Sequence, residues 1–193
     1  MRKFLSGILS LLLLMGLLPA ASAEEPDLGV TYEIFVASFQ DSNGDGIGDL
    51  QGVIDRLDYL QSLGVRQIWL MPIHPSPSYH KYDVLDYYAV DPSYGTLDDF
   101  DRLTAACKER GIRVILDLVL NHSSSSHPWF LAACDDKFFS RTGETTDWYV
   151  FYPEKGNARH KISGCSWWYE GQFGSHMPDF NLDSESLLSL IHI

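Results

Sequence analysis

The sequence predicts an α/β protein built on a parallel sheet, and three observations carry that prediction. Residues 113–122, R-V-I-L-D-L-V-L-N-H, are an almost unbroken apolar run interrupted by Asp117 and closed by Asn121-His122. A strand buried on both faces reads this way, as in a parallel sheet flanked by helices. Ahead of it, strand-like and helix-like segments alternate, which implies right-handed crossovers onto one sheet. After His122 the character changes: residues 123–183 are rich in Trp, Tyr, Phe and Gly and lack helical periodicity.

The elements follow in order. Residues 30–39, V-T-Y-E-I-F-V-A-S-F, read as a first strand. Residues 49–63 place Val53, Ile54, Leu57, Leu60 and Leu63 on one helical stripe, with Gly64 as a stop. Residues 65–71 are a second strand ended by Pro72. Thr96-Leu97-Asp98-Asp99 has the spacing of a capping box, opening a helix that turns Phe100, Leu103, Ala106 and Cys107 inward and stops before Gly111. The strand carrying Asp117 comes next. The aromatic stretch after it is expected to be an irregular insertion, with Trp167 and Trp168 serving as packing in a small domain.

Residues 1–23 predict a secretory signal peptide. Met1-Arg2-Lys3 is a basic start, the apolar core is too short for a membrane span, and Ala21-Ser22-Ala23 supplies an A-x-A cleavage site. No Cys follows that core to carry a lipid anchor. The mature protein is therefore expected to be exported, either extracellular or periplasmic, with no membrane segment. The formal net charge is −12, and removing Arg2 and Lys3 makes it more negative. Phosphates would be repelled, so a nucleic-acid partner is not expected. Export permits disulfides among Cys107, Cys134 and Cys165. Cys134 with Cys165 is the first pair to consider, Cys107 reads as a small buried helix residue, and no spacing suggests a zinc site.

Four clusters carry chemistry. Asp41-Ser42-Asn43-Gly44-Asp45-Gly46-Ile47-Gly48-Asp49 puts oxygen-bearing side chains at alternate positions with glycines between them. Three carboxylates so close repel one another unless a hard dication such as calcium joins them. The spacing is that of an EF-hand start, yet Gly52 stands where the bidentate Glu belongs and a strand precedes the loop. The second cluster, Ser76 to Val84 in the loop after the second strand, offers Tyr82 as a ring able to stack on the apolar face of a sugar. The third is Asp117, Asn121 and His122, at the carboxyl end of a buried strand, where α/β folds bind ligands. The residues alone leave open a pairing of Asp83 with Asp117 as glycosidase carboxylates. The fourth is Met177-Pro178-Asp179-Phe180-Asn181.

Together these motifs resemble the α-amylase superfamily, glycoside hydrolase family 13. Residues 117–122 match its D-x-x-x-N-H. Lys81-Tyr82-Asp83 stands where the family commonly has G-Y-D, and residues 86–96 continue that match in order. Residues 177–181 resemble M-P-D-L-N, with Phe180 in the Leu place. The 41–49 loop is similar to the calcium loop of the family's oligosaccharide-processing members. The resemblance implies a (β/α)8 TIM barrel, of which residues 24–122 are the first three strands, and an inserted domain over residues 123–193. A whole barrel takes about 250 residues, so the chain is expected to be an amino-terminal fragment. Residues 184–193 match the family poorly.

The resemblance also implies roles. Tyr82 stacks beneath the sugar and His122 hydrogen-bonds one of its hydroxyls, while Asp83 and Asp117 organise the site. Calcium is held by Asp41, Asn43, Asp45, the Ile47 carbonyl and Asp49, with a weaker second site at Asn121 and Asp179. The catalytic carboxylates belong to later strands, so no catalytic residue is assigned within this chain and the Asp83–Asp117 pairing is set aside. The implied activity is retaining hydrolysis of α-glucosidic bonds in starch or maltooligosaccharides. An α-glucosidase, a trehalose synthase-type transglycosylase and a non-catalytic amylase-like sugar-binding protein are the alternatives.

Overall fold

The computed structural model describes residues 29–191, so the leader, residues 1–23, lies outside the described residues. Three strands, β1 (Val30–Ile34), β2 (Val65–Leu70) and β3 (Arg113–Leu116), form a parallel sheet in the order β1-β2-β3. Ile34 pairs with Leu70 and Leu70 with Leu116, so the three carboxyl ends lie level. One face of the sheet presents Ile34, Ile68 and Leu70 to the helices, all buried. The other carries Glu33, Trp69 and Ile115 in register. Burial on both faces was the expectation, but Trp69 and Ile115 are 37% and 39% exposed. The helices of the first core cover only the opposite face.

The first strand is shorter than its apolar run. It ends at Ile34, and α1 (Val36–Phe39) turns the chain towards the 41–49 loop. The single helix expected over residues 49–63 is two, α2 (Leu50–Asp55) and α3 (Leu57–Ser62), broken at Arg56. The stripe survives the break, since Leu50, Val53, Leu57 and Leu60 are all buried. Leu63 leaves it, being 49% exposed, because it caps α3 just before Gly64 takes a φ of +78°. Between β2 and β3, α4 (Leu97–Glu109) opens on the anticipated capping box: Thr96 Oγ1 accepts from Asp99 N–H, and Asp99 Oδ2 accepts from Thr96 N–H. Leu103 and Cys107 are buried against the sheet, with Phe100 and Ala106 partly buried beside them. β3 stops at Leu116, well before His122, although Asp117 N–H still donates to the Leu70 carbonyl at 3.1 Å.

The stretch after His122 is more regular than its sequence. It holds a helix, α5 (Pro128–Phe138), and an antiparallel sheet of β4 (Phe151–Tyr152), β5 (Arg159–Lys161) and β6 (Trp168–Glu170) in the order β4-β6-β5. These pack into a second core of Phe130, Ala133, Trp148, Tyr149, Ile162, Tyr169, Phe180 and Leu187. The last helix, α6 (Glu185–Ile191), belongs to it. Leu187 is fully buried and Ser186 Oγ accepts from Trp148 Nε1 at 2.8 Å, so these residues pack as part of the second core. A bridge from His122 to Asp179 ties the second core to the chain that follows β3, and a bridge from Tyr149 to Phe180 lies within that core. All three cysteines are free thiols in this structure: Cys107 lies in the first core, and Cys134 and Cys165 border the second without a bond between them. Among the described residues no helix is long and apolar enough to cross a membrane.

His127 caps α5 by accepting from Trp129 N–H through Nδ1 at 3.1 Å, and its buried ring lies 4.3 Å from that of Trp129. Burial pushes its pKa down to about 4, with Asp86 opposing. An unfolded histidine titrates near 6.5, so as the pH falls below that value the unfolded chain takes up the proton first. Stability is then lost between about pH 6.5 and 4, and no further loss from this group follows below. His127→Asn keeps a cap acceptor without the titration. Urea melts at pH 7 and pH 4.5 should show a smaller acid loss in the variant; equal losses would free His127 of this role.

Candidate functional site at the strand ends

The loop after β2 is built inwards from its backbone. Leu85 N–H donates to the Pro75 carbonyl and Asp91 N–H to that of Ile73, which folds residues 76–84 over the carboxyl ends of the strands. At its centre Asp83 is 2% exposed and accepts from Ser76 Oγ at 2.7 Å and from Ser78 Oγ, with His80 Nδ1 3.9 Å away. A nucleophile or acid/base catalyst must present a free oxygen to the sugar. Asp83 is instead buried and bound to the two hydroxyls that shape its own loop.

Tyr82 reaches from this loop to β3. Its phenol donates to Asp117 Oδ2 at 2.8 Å. Its pKa is pushed up to about 12 by burial and by the Asp117 carboxylate, so the phenol keeps its proton. The structure thus joins three of the residues singled out in the sequence, Tyr82, Asp83 and Asp117, at one strand-end position.

His122 is 5% exposed. Its Nδ1 lies 3.2 Å from the Asn121 side-chain nitrogen, while its buried Nε2 has no hydrogen-bond partner. The Tyr82 backbone lies close enough to favour the charged ring, but not in hydrogen-bond geometry. Burial lowers the pKa, outweighing Asp179 and Asp83, and favours the neutral ring. If the Asn121 amide donates to Nδ1, the proton sits on Nε2, leaving a buried donor without an acceptor. Such a group is costly unless a ligand oxygen completes it.

Several neighbours carried no sequence signal. Phe173, from the loop after β6, sets its ring 5.2 Å from that of His122 and is 64% exposed. Tyr87 donates its hydroxyl to the carbonyls of Val119 and His122 at 3.1 and 2.8 Å, fixing the chain that presents the histidine. Asn121 donates to Asp179 Oδ1 at 3.2 Å, and Gln172 N–H also faces that carboxylate. The two residues of the weaker second metal site are thus in direct contact, each satisfying the other.

In the 41–49 loop, positive φ at Gly44 and Gly46 folds the backbone so that its amides point at the side chains. Asp41 accepts from the N–H groups of Asn43, Gly44 and Gly46, Asn43 from Asp45, and Asp45 from Ile47. Asp49 accepts from Ser42 and caps α2 through Gly52. Backbone donors, Gly46 foremost, hold the Asp41 carboxyl below its ordinary range. Among the described residues no Lys or Arg pairs with Asp41, Asp45 or Asp49. No three His, Cys, Asp or Glu side chains there gather closely enough to hold a metal ion. An ion at this loop would also draw on the Asn43 amide oxygen and the Ile47 carbonyl. Ionised carboxylates without a cation, together with neutral oxygens, are a donor set chemically suited to a hard dication.

A parallel α/β unit whose strand-end loops gather aromatic rings, a buried histidine and hydrogen-bonded carboxylates has the design of an α/β enzyme that binds its ligand at that end. The family model for the α-amylase catalytic domain matches residues 33–191, and the chain belongs to that family. It is 45% identical over 157 residues to alpha-amylase 3 of Dictyoglomus thermophilum, covering 80% of this chain and 31% of that protein. It is 49% identical over 142 residues to trehalose-6-phosphate hydrolase of Escherichia coli, covering 72% and 25%. Among solved structures, Eubacterium rectale Amy13B superposes with a TM-score of 0.82 at 47% identity, covering 86% of this chain and 33% of that one. The chain spans about a third or less of the length of these relatives. Its three parallel strands and their helices are part of the family's (β/α)8 barrel.

Proposed function

We propose that these residues form the sugar-holding side of a retaining hydrolase of α-glucosidic bonds, acting on starch or maltooligosaccharides. The observation that carries this reading is the buried, unpartnered Nε2 of His122 beside Tyr82. A glucose hydroxyl is an acceptor of the right kind for that donor, and the Tyr82 ring offers the apolar surface a pyranose face requires. Relatives named as an α-amylase and as a trehalose-6-phosphate hydrolase support the class of bond.

In a retaining glycosidase one carboxylate attacks the anomeric carbon while a second protonates the leaving oxygen, and water then reverses the exchange. Asp83 and Asp117 take neither part in this proposal: they hold the serine-rich turn and the Tyr82 phenol. The residues at the strand ends bind and orient the sugar, and the reacting carboxylates belong to other strands of the whole barrel. Calcium would be held by Asp41, Asn43, Asp45, the Ile47 carbonyl and Asp49. There it would neutralise the carboxylates and stiffen the passage from β1 to α2. The leader sequence supports export, which suits an enzyme meeting polymer outside the cell.

In the enzyme carrying the whole barrel, Tyr82→Ala should lower kcat/KM on maltooligosaccharides about tenfold or more. Aromatic contacts contribute about 0.5–1.5 kcal/mol beyond area burial, and the burial itself is added to that. Tyr82→Phe keeps the ring and loses only the bond to Asp117, so its loss should be smaller. Ordinary kinetics in a folded Tyr82→Ala enzyme would remove the stacking role. An intact protein that binds maltooligosaccharides without cleaving them would instead make this a sugar-binding relative.

A further inference from the structure

Lys81 takes a left-handed backbone, with a φ of +65°. A lysine is strained there and holds that shape only when its surroundings impose it. The cause is visible in the structure. The side chain runs into the protein, where Nζ meets Asp91 Oδ2 at 2.6 Å, with the two side chains only 12% and 10% exposed. The ammonium also lies 5.3 Å from the centre of the Tyr94 ring.

The receiving end is rigid. Asp91 N–H donates to the Ile73 carbonyl, its carbonyl accepts from Tyr94 and Gly95, and its other carboxylate oxygen accepts from Ser93. Tyr94 is 1% exposed in the first core, and its carbonyl accepts from Leu50 at the start of α2. On the loop side the chain beyond residue 82 is held by Ser124 N–H on the Val84 carbonyl and Leu85 N–H on that of Pro75, while the Tyr82 backbone has a local bond on each side: its N–H donates to His80 Nδ1 and its carbonyl accepts from Val84 N–H. A buried ion pair is a weak source of stability, yet breaking one partner is costly and its geometry is specific.

We propose that Lys81 is a positioning residue. Its ammonium, anchored on Asp91, fixes the turn at residues 80–83 and so sets the angle at which Tyr82 lies over Asp117. The proposal rests on the sugar-platform reading of Tyr82 for its consequence, but not for the anchor itself.

The test is a kinetic cycle in the enzyme carrying the whole barrel, with Lys81→Met crossed against Tyr82→Ala, alongside amide exchange of the same proteins. Lys81→Met should lower kcat/KM on maltooligosaccharides about threefold or more in the native background and add almost nothing once Tyr82 is Ala. Exchange should quicken in a peptide spanning residues 78–85 and stay unchanged across β2. If Lys81→Met does not fold, Lys81→Gly removes the anchor while relieving the backbone, and the same results are expected. An equal multiplicative loss in both backgrounds, or unchanged exchange over residues 78–85, overturns the proposal. Quickened exchange in an enzyme inert towards maltooligosaccharides keeps the anchor and overturns the functional reading instead.

Discussion

Residues 24–193 expressed alone should show no hydrolysis of starch or of a chromogenic maltooligosaccharide, substrates that the proposed enzyme carrying the whole barrel should turn over. Retaining chemistry requires two carboxyl groups about 5–5.5 Å apart across the scissile bond. Of the three acidic residues the site supplies, Asp83 is 2% exposed under two serine hydroxyls, Asp117 receives the Tyr82 phenol, and Asp179 is buried under Asn121 and the Gln172 N–H. Folding should suffer too. β1 and β3 each pair on one side only, and Trp69 and Ile115 lie on a face that no described element covers. Further along, Leu118 and Tyr88 are 52% and 65% exposed beside an apolar groove of about 200 Å³ that also touches Val119, Trp129 and Phe180. Open strand edges next to apolar surface favour aggregation. The measurement is turnover and thermal unfolding of the segment beside a family member of full length. Strong turnover by a soluble segment that melts cooperatively would show that reacting carboxylates lie within these residues.

What the sequence revealed was local or periodic. The helical stripe of Val53, Leu57 and Leu60 and the Thr96–Asp99 capping box repeat at helical spacing, and both stand in the structure. The parallel order of three strands followed from their alternation with helices, a matter of connectivity. The second core did not show because its strands are two or three residues long, too short for alternation to register. In α5 both faces are apolar: Phe130 and Ala133 point inward, while Leu131 and Phe138 are about half exposed, which blurs the helical period.

The candidate site divides in the same way. Tyr82, Asp83, Asp117 and His122 sit in short motifs and were legible, although the bond from Tyr82 to Asp117 needed the fold to bring two strand ends together. Phe173 was not legible, because its place over His122 depends on how the antiparallel sheet lies against the end of β3. Lys81 was visible only as a departure from glycine. Its partner lies ten residues on, and nothing in the spacing marks Asp91 as a buried anchor.

Calcium should raise the melting temperature of the enzyme, and Asp45→Ala should abolish most of that rise. The loop presents Asp41, Asp45 and Asp49 with no cation paired to any of them among the described residues, and the donors that hold them are backbone amides and the Ser42 hydroxyl. A ligand that binds only the folded state at about a hundred times its Kd stabilises by about 2.7 kcal/mol. Each kcal/mol moves Tm by about 2–4 °C for a domain of 150–250 residues and by less for a larger one, so a shift of a few degrees is expected in the whole enzyme. Asp45 is the residue to change because it is exposed and its carboxylate accepts from Ile47 N–H, whereas Asp49 also caps α2 and its loss would confuse the two effects. The variant's Tm without calcium should therefore fall little, and the comparison lies in the calcium response. Magnesium at the same concentration should do less, since it demands a tight octahedral shell that this flexible set of oxygens supplies poorly. Melts with a chelator, with calcium and with magnesium at one scan rate make the measurement. An equal calcium shift in the native and Asp45→Ala proteins would place the ion elsewhere and leave the loop a turn held by its own amides.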